Sequence, residues 1–235
     1  MTFTTKISCV LLSLTTLCAV AAPNGEALLK KADEVRNPSD TFKMKATVQT
    51  EDGISSYEIF VKGKDKSVIV TKAPAKDAGR NMLMVEKDFY LYMPNLKRSL
   101  RMSLAQKLSG QVANGDIART RWFGDYDVAV ESSTAAQSTL LLTGKSSGLT
   151  YQKIRLNVAT KDGRPLDAQY LSVDGKVVLK KAVFGEFKKL AGAERPSLIK
   201  IEDASGKASE IRIESMEKAT LPDAFFTQGK LESLR

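Results

Sequence analysis

The chain has 235 residues, and its 36 Lys and Arg against 27 Asp and Glu give a formal net charge of +9. It contains no histidine, and its two cysteines, Cys9 and Cys18, both lie near the N-terminus. The commonest general base and transition-metal ligand is therefore missing, which excludes Ser-His-Asp and Cys-His catalysis, histidine-ligated zinc and haem with a proximal histidine. A hydrophobic fraction of 43% is ordinary for a globular domain that buries a core.

Residues 1–21 predict a secretory signal peptide. Lys6 precedes an apolar run from Ile7 to Val20, and the A-x-A cleavage site ends at Ala21. This run is short for a membrane span. Cleavage near Ala21 leaves residues 22–235 without cysteine or histidine, and we expect this single domain to lie in the periplasm of a Gram-negative bacterium. The alternative is a lipoprotein leader that is acylated at Cys18.

An amphipathic helix opens the domain, and strands follow it. Apolar residues recur at helical spacing from Gly25 to Arg36, Asn24 is a suitable N-cap, and Asn37-Pro38 ends the helix. From Thr41 onward apolar and polar residues alternate, as in strands with one buried face, and Asp-Gly pairs mark hairpin turns. The pattern predicts a mainly β fold: one large curved antiparallel sheet of about eleven strands.

The segment from Ser103 to Phe123 interrupts this alternation. It mixes apolar residues, glycines and basic residues, so we predict a long loop with one or two short helical turns. The densest group of basic residues lies beside and within it: Lys97, Arg98, Arg101 and Lys107. We expect this group to face anionic lipid head groups or an acidic partner. Elsewhere basic residues are interleaved with acids, which is typical of a solvated sheet surface and does not indicate nucleic-acid binding.

Candidate catalytic groups are weakly supported by the sequence. Asp125 and Asp127 share a strand face but flank a turn, whereas Glu202 and Asp203 point to opposite faces of one strand. No P-loop motif occurs. We therefore expect no enzymatic activity, no cofactor and no metal. A Ser–Lys or carboxylate site is the rival hypothesis, and it predicts a polar cleft in which such groups converge.

Methionine and aromatic residues are concentrated in the first strands. Methionine is flexible and is over-used where one surface accepts varied apolar partners. A curved sheet covered by one helix and one loop leaves a pocket for an acyl chain or another hydrophobic ligand, although these side chains would equally suit a plain core. We assign ten residues to the lining of this cavity: Phe42, Met44, Tyr57, Ile59, Val61, Met82, Met84, Phe89, Leu91 and Met93. Leu104, Leu108 and Trp122 are the candidates for a lid. The faces are open to a one-residue shift, because Tyr90 and Tyr92 make the other face of their strand apolar too.

The order of these elements resembles that of the LolA/LolB-like periplasmic proteins, in particular the outer-membrane lipoprotein-sorting branch. That branch shows an aromatic-x-aromatic strand ending in proline, then basic residues, then a Gly-Ser-x-x-x-x-Asp-like loop. Tyr90, Tyr92 and Pro94 match the strand, and Arg101 and Asp116 match the polar positions after it. The Gly-Ser pair itself is absent from this chain.

The resemblance implies an unclosed β-barrel with a helical lid over a hydrophobic cavity, and it implies no catalytic residues. It also implies a carrier of lipids or acylated proteins, which would serve outer-membrane lipoprotein sorting or an RND/MMPL-type exporter. We expect the carrier to be a monomer. An inner-membrane transporter and an outer-membrane acceptor would then be its partners. The half-barrel equally resembles a domain of periplasmic regulators that bind anti-sigma factors, so a sensor or interaction module is the alternative.

Overall fold

The computed structural model describes residues 24–102 and 121–234, which form one antiparallel sheet of thirteen strands with few helical elements. Helix α1 spans Gly25–Arg36, a short 3-10 turn covers Asp223–Phe225, and helix α2 spans Gln228–Ser233. The strands in chain order are β1 Thr41–Thr50, β2 Gly53–Lys62, β3 Lys66–Ala73, β4 Met82–Val85, β5 Asp88–Met93, β6 Arg98–Arg101, β7 Tyr126–Ser133, β8 Gln137–Gly144, β9 Lys153–Ala159, β10 Pro165–Leu171, β11 Val178–Leu190, β12 Ala193–Asp203 and β13 Ala208–Lys218.

The order of the strands in space is β6-β5-β4-β3-β2-β1-β13-β12-β11-β10-β9-β8-β7. Every neighbouring pair is antiparallel, and all pairs except β1–β13 join strands that follow each other along the chain. Strands β6 and β7 end the order and do not pair with each other within the described residues, so the sheet is not closed. The mainly β prediction is confirmed. The described sheet has thirteen strands where about eleven are predicted, and the two shortest, β4 and β6, have four residues each.

Helix α1 forms where the sequence predicts it. The Asn24 side chain accepts a hydrogen bond from the N–H of Ala27 at 3.2 Å, which caps the first turn. Leu28 and Leu29 are buried, and the helix contacts both β12 and β7. Four strands separate β12 from β7 in the sheet, so the sheet curves around α1. We call the face toward α1 the inner face and the opposite one the outer face.

The two ends of the sheet meet near the β2–β3 and β4–β5 turns. Lys64 Nζ, in the β2–β3 turn, forms an ion pair with Asp125 Oδ1 just before β7, at 3.1 Å. The β8–β9 connection approaches the β4–β5 turn so closely that a Cβ at Gly148 would lie 2.9 Å from Lys87 Cδ. Both contacts draw the β7–β9 end of the sheet toward β2–β5 without strand pairing.

The outer face of β3–β5 is apolar as well, and the C-terminal segment covers it. Phe226 and Leu231 are buried against a cluster of outer-face side chains. The described members of this cluster on the sheet are Phe60, Val68, Val70, Leu83, Val85, Tyr90 and Tyr92. Tyr90 and Tyr92 therefore belong to the outer face. This face of β5 is apolar because the C-terminal segment packs on it.

Polar contacts fix both ends of this C-terminal cover. Asp223 Oδ1 forms ion pairs with Lys62 Nζ at 3.0 Å and Lys66 Nζ at 2.8 Å. At the other end, the fully buried Asn81 donates from Nδ2 to the backbone oxygen of Leu234 at 2.8 Å. Asn81 Oδ1 also accepts the N–H of Thr71, so one asparagine links β3, β4 and the end of the chain.

Truncation of Leu231 to alanine should lower the free energy of unfolding by about 2–4 kcal/mol, because a fully buried leucine on the outer face would leave a cavity. Urea unfolding measures the loss, and the exposed neighbour Lys230→Ala is the matched control. Equal stability of the two variants would contradict a packed cover.

Candidate hydrophobic binding site

The inner face carries a row of apolar side chains that crosses seven strands in register. We call it the first row, and successive members are paired across adjacent strands. From β6 to β13 it consists of Leu100, Leu91, Met82, Ile69, Ile59, Met44 and Met216. Because alternate residues of a strand point to one face, a cross-strand row of this kind forms a continuous apolar surface.

A second row lies two residues further along the strands, toward the β2–β3 turn. From β5 to β1 it consists of Phe89, Met84, Ser67, Val61 and Phe42. Four of its members are apolar, and Ser67 at its centre is the exception. The spacing between the two rows is about 6.6 Å, from 3.3 Å per residue.

All ten residues that the sequence suggested for a cavity lining belong to the inner face, but they differ in exposure. Seven are buried in the cluster that also contains α1: Phe42, Met44, Ile59, Val61, Met82, Met84 and Phe89. Tyr57, Leu91 and Met93 are only half-buried, and Leu100 beside Leu91 is 38% exposed. The apolar surface is therefore accessible toward the β5–β6 edge and closed toward the β2–β3 turn.

The residues proposed for a lid fall partly outside the described structure. Leu104 and Leu108 lie outside the described residues, and so does the basic residue Lys107. Trp122 is 4% exposed and belongs to the core. Its ring lies 3.8 Å from the guanidinium carbon of Arg36 and makes an edge-on contact with Phe184 at 6.1 Å between ring centroids.

A buried carboxylate holds the backbone at Trp122 against α1. Asp33 Oδ2 accepts the N–H of Trp122 at 2.8 Å and that of Phe123 at 2.7 Å. Its other oxygen lies 3.8 Å from Nη1 of Arg36. Burial raises the pKa of the Asp33 carboxyl, since desolvation outweighs the opposing effects of Arg36 and of the two N–H donors. No local pattern in the sequence indicates this contact, because Asp33 and Trp122 are 89 residues apart.

Arg195 secures the other end of α1. It is buried, and its Nη1 donates to the backbone oxygens of Glu34 at 2.7 Å and Val35 at 2.8 Å. These carbonyls belong to the last turn of the helix, where intrahelical partners are lacking. Nε of Arg195 donates to the oxygen of Leu190 at 3.0 Å, so the same side chain ties α1 to the β11–β12 turn.

A polar cleft of about 570 Å³ lies where α1 ends, beside the β2–β3 turn. It is lined by four basic and four acidic residues together with smaller groups and one exposed aromatic ring. The charged lining residues are Lys30, Lys64, Arg121, Arg195, Asp33, Glu34, Asp40 and Asp65. The ring is that of Phe123, which is 42% exposed. Because the basic and acidic residues are equal in number, a ligand in this cleft would be recognised by hydrogen bonds more than by its net charge.

The described part of the predicted basic surface lies at the β5–β6 hairpin. Lys97 and Arg98 are exposed there. Arg101, also exposed, is paired with Asp88 through its Nε and Nη2 atoms. The structure therefore brings three of the four predicted basic residues to one edge of the sheet, next to the half-buried part of the first row.

Two short patterns that can mark nucleophilic serines do occur in the chain, and neither has the required context. Gly144–Gly148 matches G-x-S-x-G, but it joins β8 to β9, whereas a nucleophile elbow joins a strand to a helix. Ser197–Lys200 in β12 and Ser215–Lys218 in β13 match S-x-x-K, but in each match the two residues lie three apart on one strand and so point to opposite faces. Among the described residues no group of three acidic side chains is placed to hold a metal ion. Within residues 24–102 and 121–234 no helix has the length and apolarity needed to cross a membrane.

The raised pKa of Asp33 predicts a specific pH dependence of stability. Below about pH 3.8, the usual pKa of an aspartate, the Asp33 carboxyl is protonated in both the folded and the unfolded state. As pH rises from there toward the higher pKa of the folded state, the carboxyl ionises more readily in the unfolded chain, so the folded form loses stability. In Asp33→Asn this contribution is gone, although the amide oxygen still accepts the two N–H groups. The free energy of unfolding of the wild type minus that of Asp33→Asn should therefore fall as pH rises from about 4, which urea titrations at several pH values measure. Asp162→Asn, at an exposed turn, controls for loss of one acid. A difference that rises or stays flat with pH would contradict the assignment.

Comparison with known proteins shows where this arrangement recurs. A protein-family model described as "Uncharacterized protein" matches residues 63–233. No curated protein sequence is significantly similar to the chain. Two solved structures share the fold at low sequence identity. One is an outer membrane lipoprotein-sorting protein domain of Vibrio parahaemolyticus, with 18% identity, a TM-score of 0.72 and coverage of 88% of this chain and 98% of that chain. The other is a DUF1329 family protein of Desulfovibrio piger, with 22% identity, a TM-score of 0.74 and coverage of 88% and 97%.

A third structure is similar in sequence as well as in fold. It is a LolA superfamily protein of Nitrosomonas europaea, with 35% identity and a TM-score of 0.80. The match covers 88% of this chain and 99% of that chain. The thirteen-stranded unclosed sheet, the inner helix and this level of identity together show that the chain belongs to the LolA superfamily.

Proposed function

We propose that this protein is a non-enzymatic periplasmic carrier, which holds a lipid, a lipoprotein acyl chain or a similar hydrophobic molecule against the inner face of its sheet. The observation that carries the proposal is the first row, a continuous apolar surface across seven strands. Membership of the LolA superfamily supports it. So does the Vibrio parahaemolyticus relative, whose name refers to the sorting of outer-membrane lipoproteins.

Cargo would first contact the half-buried side chains at the β5–β6 edge. Leu91 and Met93 are half-buried on β5, and Tyr57 is half-buried further into the sheet on β2, whereas Met84 and Phe89 are covered. Burying a methylene group stabilises by about 0.8 kcal/mol, so about ten methylenes supply about 8 kcal/mol, the free energy of micromolar binding before the entropy cost of association. An apolar groove is therefore sufficient for useful affinity without polar contacts.

Transfer of the cargo would involve surfaces outside the groove. Lys97, Arg98 and Arg101 form the proposed contact with a membrane surface or an acidic partner, together with Lys107. The proposed partners are an inner-membrane transporter, for example of the RND/MMPL type, and an outer-membrane acceptor. Leu104 and Leu108 are the proposed lid contacts, and Trp122, held by Asp33, would be the fixed end of that segment. Export by the signal peptide, with cleavage near Ala21, would place the carrier in the periplasm.

Native mass spectrometry with lipid extraction should detect an acyl-bearing molecule on protein purified from the periplasm. The same protein should bind a fluorescent hydrophobic probe that added lipid displaces. Recovery of a membrane regulator with no lipid, and no displacement of the probe, would reject the carrier and favour an interaction module.

A charge in the groove should abolish most probe binding without unfolding the chain. In Leu91→Glu the carboxylate occupies a half-buried position of the first row, so probe affinity should fall by more than about tenfold, because an unpaired charge is costly in an apolar site. Val183→Glu places the same change on the exposed outer face of β11 and is the matched control. Unchanged affinity of a folded Leu91→Glu variant would reject the groove as the binding surface.

A further inference from the structure

A pocket of about 620 Å³ lies where the C-terminal cover meets the β3–β4 connection and the β5–β6 turn. Its volume is within the range of about 300–1,000 Å³ that is typical of ligand sites. None of its lining residues belongs to the first or second row, and none lines the polar cleft. The pocket is therefore a separate site, which the groove does not use.

The apolar walls of this pocket are held in place by the surrounding structure. Tyr92 and Leu234 line it and pack against the outer-face cluster, and Pro94 lines it at the end of β5. The hydrogen bond from Asn81 to the backbone oxygen of Leu234 fixes the wall at the end of the chain. A Cβ at Gly79 would lie 3.3 Å from Pro94 Cγ, so the β3–β4 connection also packs on the proline. A ligand would thus meet a preformed apolar surface and would pay little for ordering it.

The charged residues of the pocket leave one ammonium group without a partner. Glu232 Oε1 accepts a hydrogen bond from Ser99 Oγ at 2.9 Å, and Lys72 Nζ lies 3.8 Å from Glu58 Oε2. The side chain of Lys97 makes no ion pair or hydrogen bond with the described residues. Two ammonium groups therefore face one carboxylate, and this positive excess favours an anionic ligand.

Lys97 also has a backbone conformation that suits glycine better than lysine. Its φ is 50°, in the left-handed region that side chains with a Cβ adopt at a cost. Residues held in such conformations cluster at ligand sites, where the side chain has a use. A role for the ammonium group in binding would explain why lysine occupies this position.

We infer that this pocket is a docking site for a short acidic segment of a partner protein, in which an apolar side chain packs on Tyr92 and Pro94 and a neighbouring carboxylate pairs with Lys97. A peptide suits the site better than a lipid surface, because a flat bilayer does not enter a concave pocket. Tyr92 and the groove residue Leu91 are adjacent in β5 and point to opposite faces, so the docked segment would lie directly behind the accessible part of the groove. The inference rests on the proposed function for the partner's role, which is to deliver or receive cargo.

Binding of degenerate peptide pools tests the docking site. Three fluorescein-labelled pools of nine-residue peptides alternate Asp or Glu with Leu, Val or Phe, Asp or Glu with Ser or Gly, and Lys or Arg with Leu, Val or Phe. In fluorescence polarisation the wild type should bind the first pool at least about tenfold more tightly than either of the others, because only that pool supplies both charge and apolar contact. Added salt should weaken this binding, since the charges are exposed to solvent.

Two variants locate the binding in the pocket. Ala78→Glu places a carboxylate at an exposed lining position, so affinity for the first pool should fall by at least about fivefold. Ala75→Glu adds the same charge at an exposed position of the same connection outside the pocket and is the matched control. Lys97→Gly should also lose at least about fivefold affinity, whereas its melting temperature should not fall, because glycine suits the left-handed backbone. A purely structural lysine would lower the melting temperature and leave peptide affinity unchanged.

The hydrophobic probe separates this inference from the carrier function. All three variants should bind the probe as the wild type does, because their positions lie outside the groove. Equal binding of the three pools, or equal losses in Ala78→Glu and Ala75→Glu, would overturn the docking site while the carrier function stands. Binding to anionic vesicles that Ala78→Glu abolishes, without binding of any pool, would also overturn it. Failure of added lipid to displace the probe from the wild type would instead overturn the carrier function.

Discussion

The pairing of β1 with β13 is the contact on which the rest of the fold depends. In every other neighbouring pair the two strands follow each other along the chain, so each half of the sheet is a meander of short-range contacts. Among the strand pairs of residues 24–102 and 121–234, only β1–β13 closes a long loop, and its eight paired positions offset the entropy cost of that closure. A register shift between Lys45 and Ala46 interrupts this ladder, and such bulges increase local twist. Met44 and Met216 meet across the same pair, so the apolar first row is continuous only because the two halves are joined there.

The two faces of β3–β5 are both apolar, yet the structure covers them differently. On the outer face the C-terminal segment is packed, ion-paired through Asp223 and hydrogen-bonded through Asn81. On the inner face the cover thins toward the β5–β6 edge, where Leu91 and Leu100 remain partly exposed. The fixed outer cover stabilises these strands independently of the inner groove. In a carrier, this division would let the groove exchange its contents without loss of the strands that form it.

Local patterns in the sequence were sufficient for the elements but not for their long-range contacts. The Asn24 cap, the α1 stripe and the alternating strands follow from spacing between near neighbours, and all of these appear in the structure. The face assignments follow from alternation. What alternation does not indicate is that Tyr90 and Tyr92 pack against the C-terminal segment, which is distant from them along the chain. The clamp from Asp33 to Trp122 and the cap by Arg195 join residues 89 or more positions apart, and no single-sequence periodicity encodes them.

The position of β13 and the outer cover at the end of the chain has a consequence for synthesis. As the chain grows from its N-terminus, β1–β6 appear first, with β1 as an unpaired edge and the outer face of β3–β5 still bare. Exposed edges and bare apolar faces are sites of aggregation. The first six strands therefore remain prone to aggregation until residues 208–234 have been synthesised and have packed on them. A pause in synthesis before residue 208 should be more harmful here than in a fold whose first half is stable by itself.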